Sequence, residues 1–274
     1  MEKAAEKETN ERLVHLGNEV LAQLNEVKNP DIKLPIRALS NIYFDEKNRL
    51  IRLGNKMSHR TYLNVAHTRK FMQTLMVASE CKKIMEQGVT ISIRDLYYAL
   101  KRTIPGTKEN TFDDQRESDA CIVDLEHAVN TIREKLNVHA NPKGTLYGDI
   151  TLVDRRHHND TFNCLKLGRG GWSIMSRIEP NEIEIKQVNA KYVLVIETSA
   201  MYERLIEENF AKENKAILVG TGGQAARGTR RLIHRLHYEK KLPVYAFTDG
   251  DPYGWYIYSV VKQGSMALAA HSHF

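Results

Sequence analysis

Apolar positions in the opening stretch recur with a helical period. Leu13, Leu16, Val20, Leu24 and Val27 keep to one face. Asn29-Pro30 closes that run, because the residue before a proline avoids the α region. Two shorter apolar runs follow, PIRALSNIYF and RLIRLG, joined by Asp-Glu-Lys-Asn, and this pattern predicts a β-hairpin. Residues 1–64 are too few to close a core of their own, so the segment is expected to dock on the rest of the chain or on a partner.

From Tyr62 to Gly88 the pattern predicts a long helix ending at glycine. A second helix is expected from Ser92, where Ser92 and Asp95 have capping-box spacing. A third spans Asp113 to Leu136, with Ile122, Leu125, Val129, Ile132 and Leu136 on one face. Turn residues and a strand follow in NPKGTLYGDITLVD. Three helices with a β-hairpin predict a helix-turn-helix domain with a wing over residues 65–154, and any other small helical domain fits the pattern equally well. Beyond a loop-like stretch from Arg155 to Gly171, the period changes. KYVLVIE, KAILVG and LPVYAFTDGD read as strands. TSAMYERLIEENF, GGQAARGTRRLIHRLHYEK and PYGWYIYSVVKQG read as helices. Strands alternating with helices predict right-handed crossovers and a parallel sheet over 155–274, so the chain as a whole reads as a multidomain α+β protein.

Composition narrows the function classes. Of 274 residues 42% are hydrophobic, enough for a folded core. Cys81, Cys121 and Cys164 lie far apart, which excludes a disulfide scaffold or a cysteine-rich zinc module and points to a reducing compartment. No apolar run is long enough to span a membrane, and the charged N-terminus lacks a signal core, so a soluble intracellular protein is expected. The formal charge of +6 admits nucleic acid as a partner. Most of it is local: residues 221–241 hold six Lys or Arg and one acid. Arg227, Arg231 and Arg235 share a helix face, with Arg230 beside them, behind Gly220, Gly222 and Gly223. Contact with phosphates is the expectation, and a solvated basic face is the alternative.

Three acids end predicted strands: Glu197 after VLVI, then Asp249 and Asp251 after YAFT. Ligands of open α/β sheets bind beyond the carboxyl ends of the strands. Carboxylates gathered there suit a hard ion such as Mg²⁺. Asp251-Pro252 is equally the pattern of an N-cap followed by proline at the first helical position. In SIRDLYYALKR, Ile93, Leu96, Tyr97 and Leu100 make a buried stripe. That leaves Tyr98 on a basic face with Arg94, Lys101 and Arg102, where adjacent cations favour the phenolate, and tyrosine is an accepted covalent nucleophile. Taken alone, such a tyrosine is more often a plain surface residue.

Four blocks in this order resemble a known family: Ser92–Tyr98, the V-I-E ending at Glu197, G-T-G-G-Q-A-A-R-G-T-R-R from Gly220 to Arg231, and T-D-G-D-P-Y-G from Thr248 to Gly254. They are similar to the A subunits of type IIB DNA topoisomerases (topoisomerase VI), a family that takes in the meiotic double-strand-break protein. The third block looks closer to the topoisomerase branch. The resemblance covers roughly residues 65–274. It implies a winged-helix domain like that of the catabolite activator protein, followed by a Toprim domain. It makes Tyr98 the nucleophile, Arg94 the catalytic arginine, and Glu197, Asp249 and Asp251 the Mg²⁺ ligands. It further implies transient cleavage of double-stranded DNA through a 5′-phosphotyrosyl link, a homodimer of A chains, and a separate ATPase B subunit. Such a partner fits the lack of a P-loop motif here. A cytoplasmic, chromosome-associated protein follows. Family members usually continue past AAHSHF, so a C-terminally shortened Toprim domain is expected. A metal-dependent Toprim phosphodiesterase using water, and a non-catalytic winged-helix DNA-binding protein, remain the alternatives. The pairs His157, His158 and His271, His273 show no ligand set and are expected to face solvent or phosphate.

Overall fold

The computed structural model describes residues 2–156 and 158–264. They fall into two compact units divided between Ala140 and Asn141. His157, His271 and His273, and the chain beyond Gly264, lie outside the described residues. Among the described residues no helix is long and apolar enough to cross a membrane.

The first unit opens with α1 (Glu2–Asn25), then β1 (Asp31–Pro35), β2 (Ile42–Asp45), β3 (Leu50–Leu53) and β4 (Met57–Thr61). Helices α2 (Val65–Gln87), α3 (Ile93–Leu100) and α4 (Gln115–Ala128) follow, with the short strands β5 (Ile91–Ser92) before α3 and β6 (Val138–His139) after α4. β2 and β3 form the expected hairpin, nested within a second antiparallel pair, β1 with β4. The outer pair was not expected from the sequence. The opening segment docks on its own chain. Leu13, Leu16 and Val20 of α1 and Ile32 and Leu34 of β1 share one core with Val77, Cys81, Leu96, Cys121 and Leu125. Leu24 and Val27 belong to the predicted stripe but are 48% and 94% exposed; Leu24 lies in the last turn of α1, and Val27 lies past its end at Asn25, at φ 57°.

Polar side chains set the helix limits. Asn64 caps α2 by accepting from the Ala66 N–H, and Gly88 at φ 66° ends it. Ser92 caps α3 and Asp114 caps α4. The predicted third helix is shorter than its apolar period. Asn130 in the left-handed region breaks it, and a 3₁₀ turn at Arg133–Leu136 carries the last buried apolar residue of the stripe.

The second unit contains β7 (Thr145–Tyr147), β8 (Ile150–Asp154), β9 (Asp160–Asn163), β10 (Trp172–Ser173), β11 (Ile183–Val188), β12 (Tyr192–Ile196), α5 (Ser199–Glu207), α6 (Phe210–Glu213), β13 (Ala216–Gly220), α7 (Arg227–Tyr238), β14 (Val244–Phe247) and α8 (Pro252–Gln263). The strand expected to form a wing on the helices lies here instead. β7 pairs antiparallel with β13, while β8 pairs with β9 and β11. The compact units therefore divide at 140/141, not at 154/155. The Arg155–Gly171 stretch is not all loop, since it holds β9, and His158 sits in the β8–β9 turn at φ 53°.

The five-stranded sheet runs β10-β7-β13-β12-β14. β12 pairs in parallel with both β13 and β14, as the alternating pattern predicts. Side chains alternate across it. Val193, Val195, Ile217 and Val219 meet Leu232, Ile233 and Leu236 of α7, while Ile196 and Leu218 meet Tyr202 and Ile206 of α5. The chain leaves β12 for β13 on one side and returns to β14 on the other. The carboxyl end of β12 is thus a topological switch point, where α/β sheets open a crevice.

Candidate active site

Two groups of side chains carry chemistry, one in each unit. On α3 Leu96, Tyr97 and Leu100 of the predicted stripe are buried. Tyr97 is 7% exposed in the core and Tyr98 is 57% exposed. The Ser92 hydroxyl accepts from the Asp95 N–H at 3.0 Å and donates to the Asp95 carboxylate at 2.7 Å, which fixes the first turn and the phase of the helix. The guanidinium carbon of Arg94 lies 5.8 Å from the centre of the Tyr98 ring. Hydrogen bonding to Tyr98, then its charge, pushes the Arg94 pKa further up, so Arg94 is a fixed cation beside this phenol. Lys101 was expected among the DNA contacts, yet its ammonium donates to the Tyr97 hydroxyl at 2.9 Å. Arg102 is exposed, and its backbone N–H bonds the Thr111 hydroxyl at 3.1 Å.

The acids stand at the switch point. Glu197 follows β12, and its Oε2 accepts the Asp249 N–H at 3.2 Å, so the acid that ends β12 and the acid loop after β14 are tied together. The Asp251 Oδ1 accepts the Gly254 N–H at 2.7 Å, capping α8 with Pro252 at its first position. Both readings of Asp251-Pro252 therefore bear on one side chain, and the capping reading already occupies one of its oxygens. Gly254 is required here. A Cβ on it would stand 2.1 Å from the Asp249 carbonyl oxygen, so only glycine lets α8 approach the acid loop this closely.

Among the described residues no three His, Cys, Asp or Glu side chains are gathered tightly enough to hold an ion. The donor set still fits a hard cation. It is all carboxylate, with Asp249 and Asp251 exposed and Glu197 half-buried, and Mg²⁺ is commonly held by one or two carboxylates with water and substrate phosphate completing its shell. Glu197 and Asp249 meet that requirement without Asp251.

The basic helix α7 departs from expectation. Arg235 is 2% exposed; its guanidinium donates to the carbonyls of Ile178 and Ile183 at 2.6 and 2.7 Å and to Glu239 at 2.8 Å. It is a structural cation whose donors are spent inside its own unit, and not the phosphate contact expected from its spacing. Arg231 is held in a fork by Glu179, with both N–O distances 2.9 Å. That contact, more than burial opposes it, pushes its pKa up. The face shared by Arg227, Arg231 and Arg235 thus turns largely inward. Arg227 and Arg230 are half-buried on the first turn.

Three partners were missed from the sequence. Glu179 lies 52 residues from Arg231. Asp113 supplies a carbonyl to Tyr97. Lys143 donates to the Gln224 carbonyl at 2.9 Å and so braces the loop before α7. None carries a local signal, because each acts through a contact distant in sequence.

Comparison with known proteins finds a family match over each of the two regions. The type IIB DNA topoisomerase family description matches residues 69–138, which hold α3 and Tyr98. The Toprim domain description shared by topoisomerase 6 A subunits and Spo11 matches residues 192–274, which hold the three acids. The A subunits of type 2 DNA topoisomerase 6 from Pyrococcus abyssi and Pyrococcus horikoshii are 52% and 51% identical, over 94% of this chain and 66% of theirs. The counterpart in Sulfurisphaera tokodaii is 38% identical over 99% of this chain and 71% of its own length. The chain thus spans just under two thirds of the two Pyrococcus relatives. With matches of this extent in both units, the chain belongs to the type IIB family of DNA topoisomerase 6 A subunits.

Proposed function

We propose that the chain carries the DNA-cleaving machinery of a type IIB topoisomerase, with Tyr98 as nucleophile. The observation that carries this reading is the separation of two adjacent tyrosines. One is sealed in the core, and the other is displayed on the same helix beside Arg94. The phenol gives its proton to solvent and its oxygen attacks a DNA phosphorus, the bond to the 3′ oxygen breaks, and that oxygen leaves with a proton taken from solvent. A phosphotyrosine diester on the 5′ end remains. One phosphodiester is exchanged for another, so the same groups can reseal the break. Arg94 offsets the charge of the deprotonated phenol before attack and the charge that grows on the phosphate in the transition state. Glu197 and Asp249 hold the divalent metal, taken as Mg²⁺, with Asp251 beside them; when bound, the ion supplies charge stabilisation at the phosphate oxygens.

The partners follow from the same reading. The substrate is duplex DNA, and helices α2–α4 act as a winged-helix module. Arg102, Arg227 and Arg230, and more weakly Arg231, make the phosphate contacts. Two A chains supply two nucleophiles for two strands. The ATPase B subunit supplies the nucleotide-driven step, and the assembly works on the chromosome.

The test is covalent trapping. Protein, labelled duplex DNA, Mg²⁺ and the B subunit with nucleotide are mixed and quenched with denaturant. DNA should remain attached to protein, and Tyr98→Phe should reduce the adduct to background. Cleavage with no adduct, unchanged in Tyr98→Phe, would instead favour hydrolysis by metal and water.

A further inference from the structure

We propose that Tyr97 and Lys101 are a positioning pair for Tyr98: the Lys101 ammonium moors the Tyr97 ring, and that ring is the wall against which the exposed phenol rests. The inference builds on the reading of Tyr98 as nucleophile and assigns Lys101 a role other than phosphate contact.

An exposed phenol on a helix surface is free to exchange rotamers unless something holds it. Two groups lie against Tyr98: Arg94, and the Tyr97 ring at 5.1 Å between centroids with planes tilted by 53°. The Tyr97 ring is itself fixed at its far end. Its hydroxyl donates to the Asp113 carbonyl at 3.1 Å and accepts from the Lys101 ammonium at 2.9 Å, so both its donor and an acceptor site are used. The ammonium also lies 5.4 Å from the Tyr97 ring centre and 3.5 Å from the Asp113 carbonyl oxygen. The loop that provides this carbonyl is anchored in turn. Arg69 of α2 binds the Asp113 carboxylate at 2.6 Å and Glu117 at 3.3 Å, and Glu117 accepts the Asp113 N–H at 3.0 Å.

A chain of polar contacts thus runs from α2 through the loop before α4 to Lys101 and Tyr97, and ends on the ring beside the nucleophile. A lysine reaching for phosphate is a mobile point charge on a flexible stem. This one is held within its own unit by a hydroxyl and a carbonyl. Its pKa is pushed up by hydrogen bonding to Tyr97 first and by Tyr97 charge second, in keeping with that mooring.

Orientation matters because misplacing a reacting group by about 1 Å can slow reaction about 100-fold. The experiment uses Lys101→Met, Tyr97→Phe, the double variant and Lys101→Arg, in single-turnover adduct formation at saturating duplex DNA. Salt-dependent DNA affinity is measured in parallel. Each single variant should slow adduct formation about tenfold, with affinity and its salt slope unchanged. The double variant should be no slower than the slower single one, because the two residues act as a unit. Lys101→Arg should restore part of the rate. A Lys101→Met protein with full rate and a salt slope lowered by about one phosphate contact would overturn the proposal, as would additive losses in the double variant. If Tyr98→Phe still forms adduct, it is the nucleophile reading that fails. A second measurement needs no turnover. Tyr98 ring resonances, identified by their loss in Tyr98→Phe, should move in both Lys101→Met and Tyr97→Phe. Resonances that coincide with the unaltered chain would also overturn the pairing.

Discussion

Asp251 has two roles to fill, and its oxygens divide them. Oδ1 accepts the Gly254 N–H at 2.7 Å, which leaves Oδ2 for any ion. Asparagine keeps the capping oxygen and loses the charge, whereas alanine loses both. Asp251→Asn is therefore expected to melt near the unaltered chain, and Asp251→Ala to lose about 1 kcal/mol. Titration with Mg²⁺ or Mn²⁺ separates the second role. Glu197→Gln and Asp249→Asn should weaken binding more than Asp251→Asn does, because the Asp249 backbone N–H to Glu197 Oε2 contact at 3.2 Å sets both acids at the switch point, whereas Asp251 is engaged in the α8 cap. Equal losses for all three would make Asp251 a full ligand.

At the scale of elements, α7 shows how far the sequence could be read. Its helical character, its basic face and its place after a β run were all legible from the spacing of Arg227, Arg231 and Arg235. The direction of that face was not. A helix period says which residues share a side, not what the side meets. Here it meets the Ile178 and Ile183 carbonyls and Glu179, from a stretch with no period of its own. The same limit hid the outer hairpin of β1 and β4 and sent the 145–154 strand to the wrong unit, since pairing partners are set by tertiary packing. By contrast, α3 and the parallel strands were legible because one face of each is wholly apolar. Arg235→Leu removes the donor from two buried carbonyls and should cost about 3 kcal/mol, measured by denaturant unfolding. The salt slope of DNA binding should stay unchanged. A slope lowered with stability intact would return Arg235 to the DNA contacts.

At the scale of the whole molecule, each unit has its own apolar core, and each holds at least one cysteine thiol that can report on it. Cys81 and Cys121 lie in the first core and Cys164 in the second. Burial pushes their pKa values up to about 12, about 11 and about 12, so at pH 8 each thiol reacts only when its surroundings open. The first unit has an identifiable clasp. The Asp124 carboxylate, 6% exposed, binds Arg37 and Arg60 at 2.8 Å each, tying the segment around β1 and β4 to α4. Removing the acid leaves two arginines facing an emptied site, one of them, Arg60, largely buried. For a buried pair that loss is about 3–5 kcal/mol, and the partial exposure of Arg37 brings it toward about 2–3 kcal/mol. Asp124→Ala is therefore expected to speed alkylation of Cys81 and Cys121 by about 30- to 150-fold, the Boltzmann factor of that loss when opening and closing are fast relative to alkylation. Cys164 should react at its former rate. Faster labelling of all three would mean that the clasp stabilises both cores together, and unchanged labelling of Cys81 and Cys121 would mean that α1 and the core leucines hold the opening segment without it.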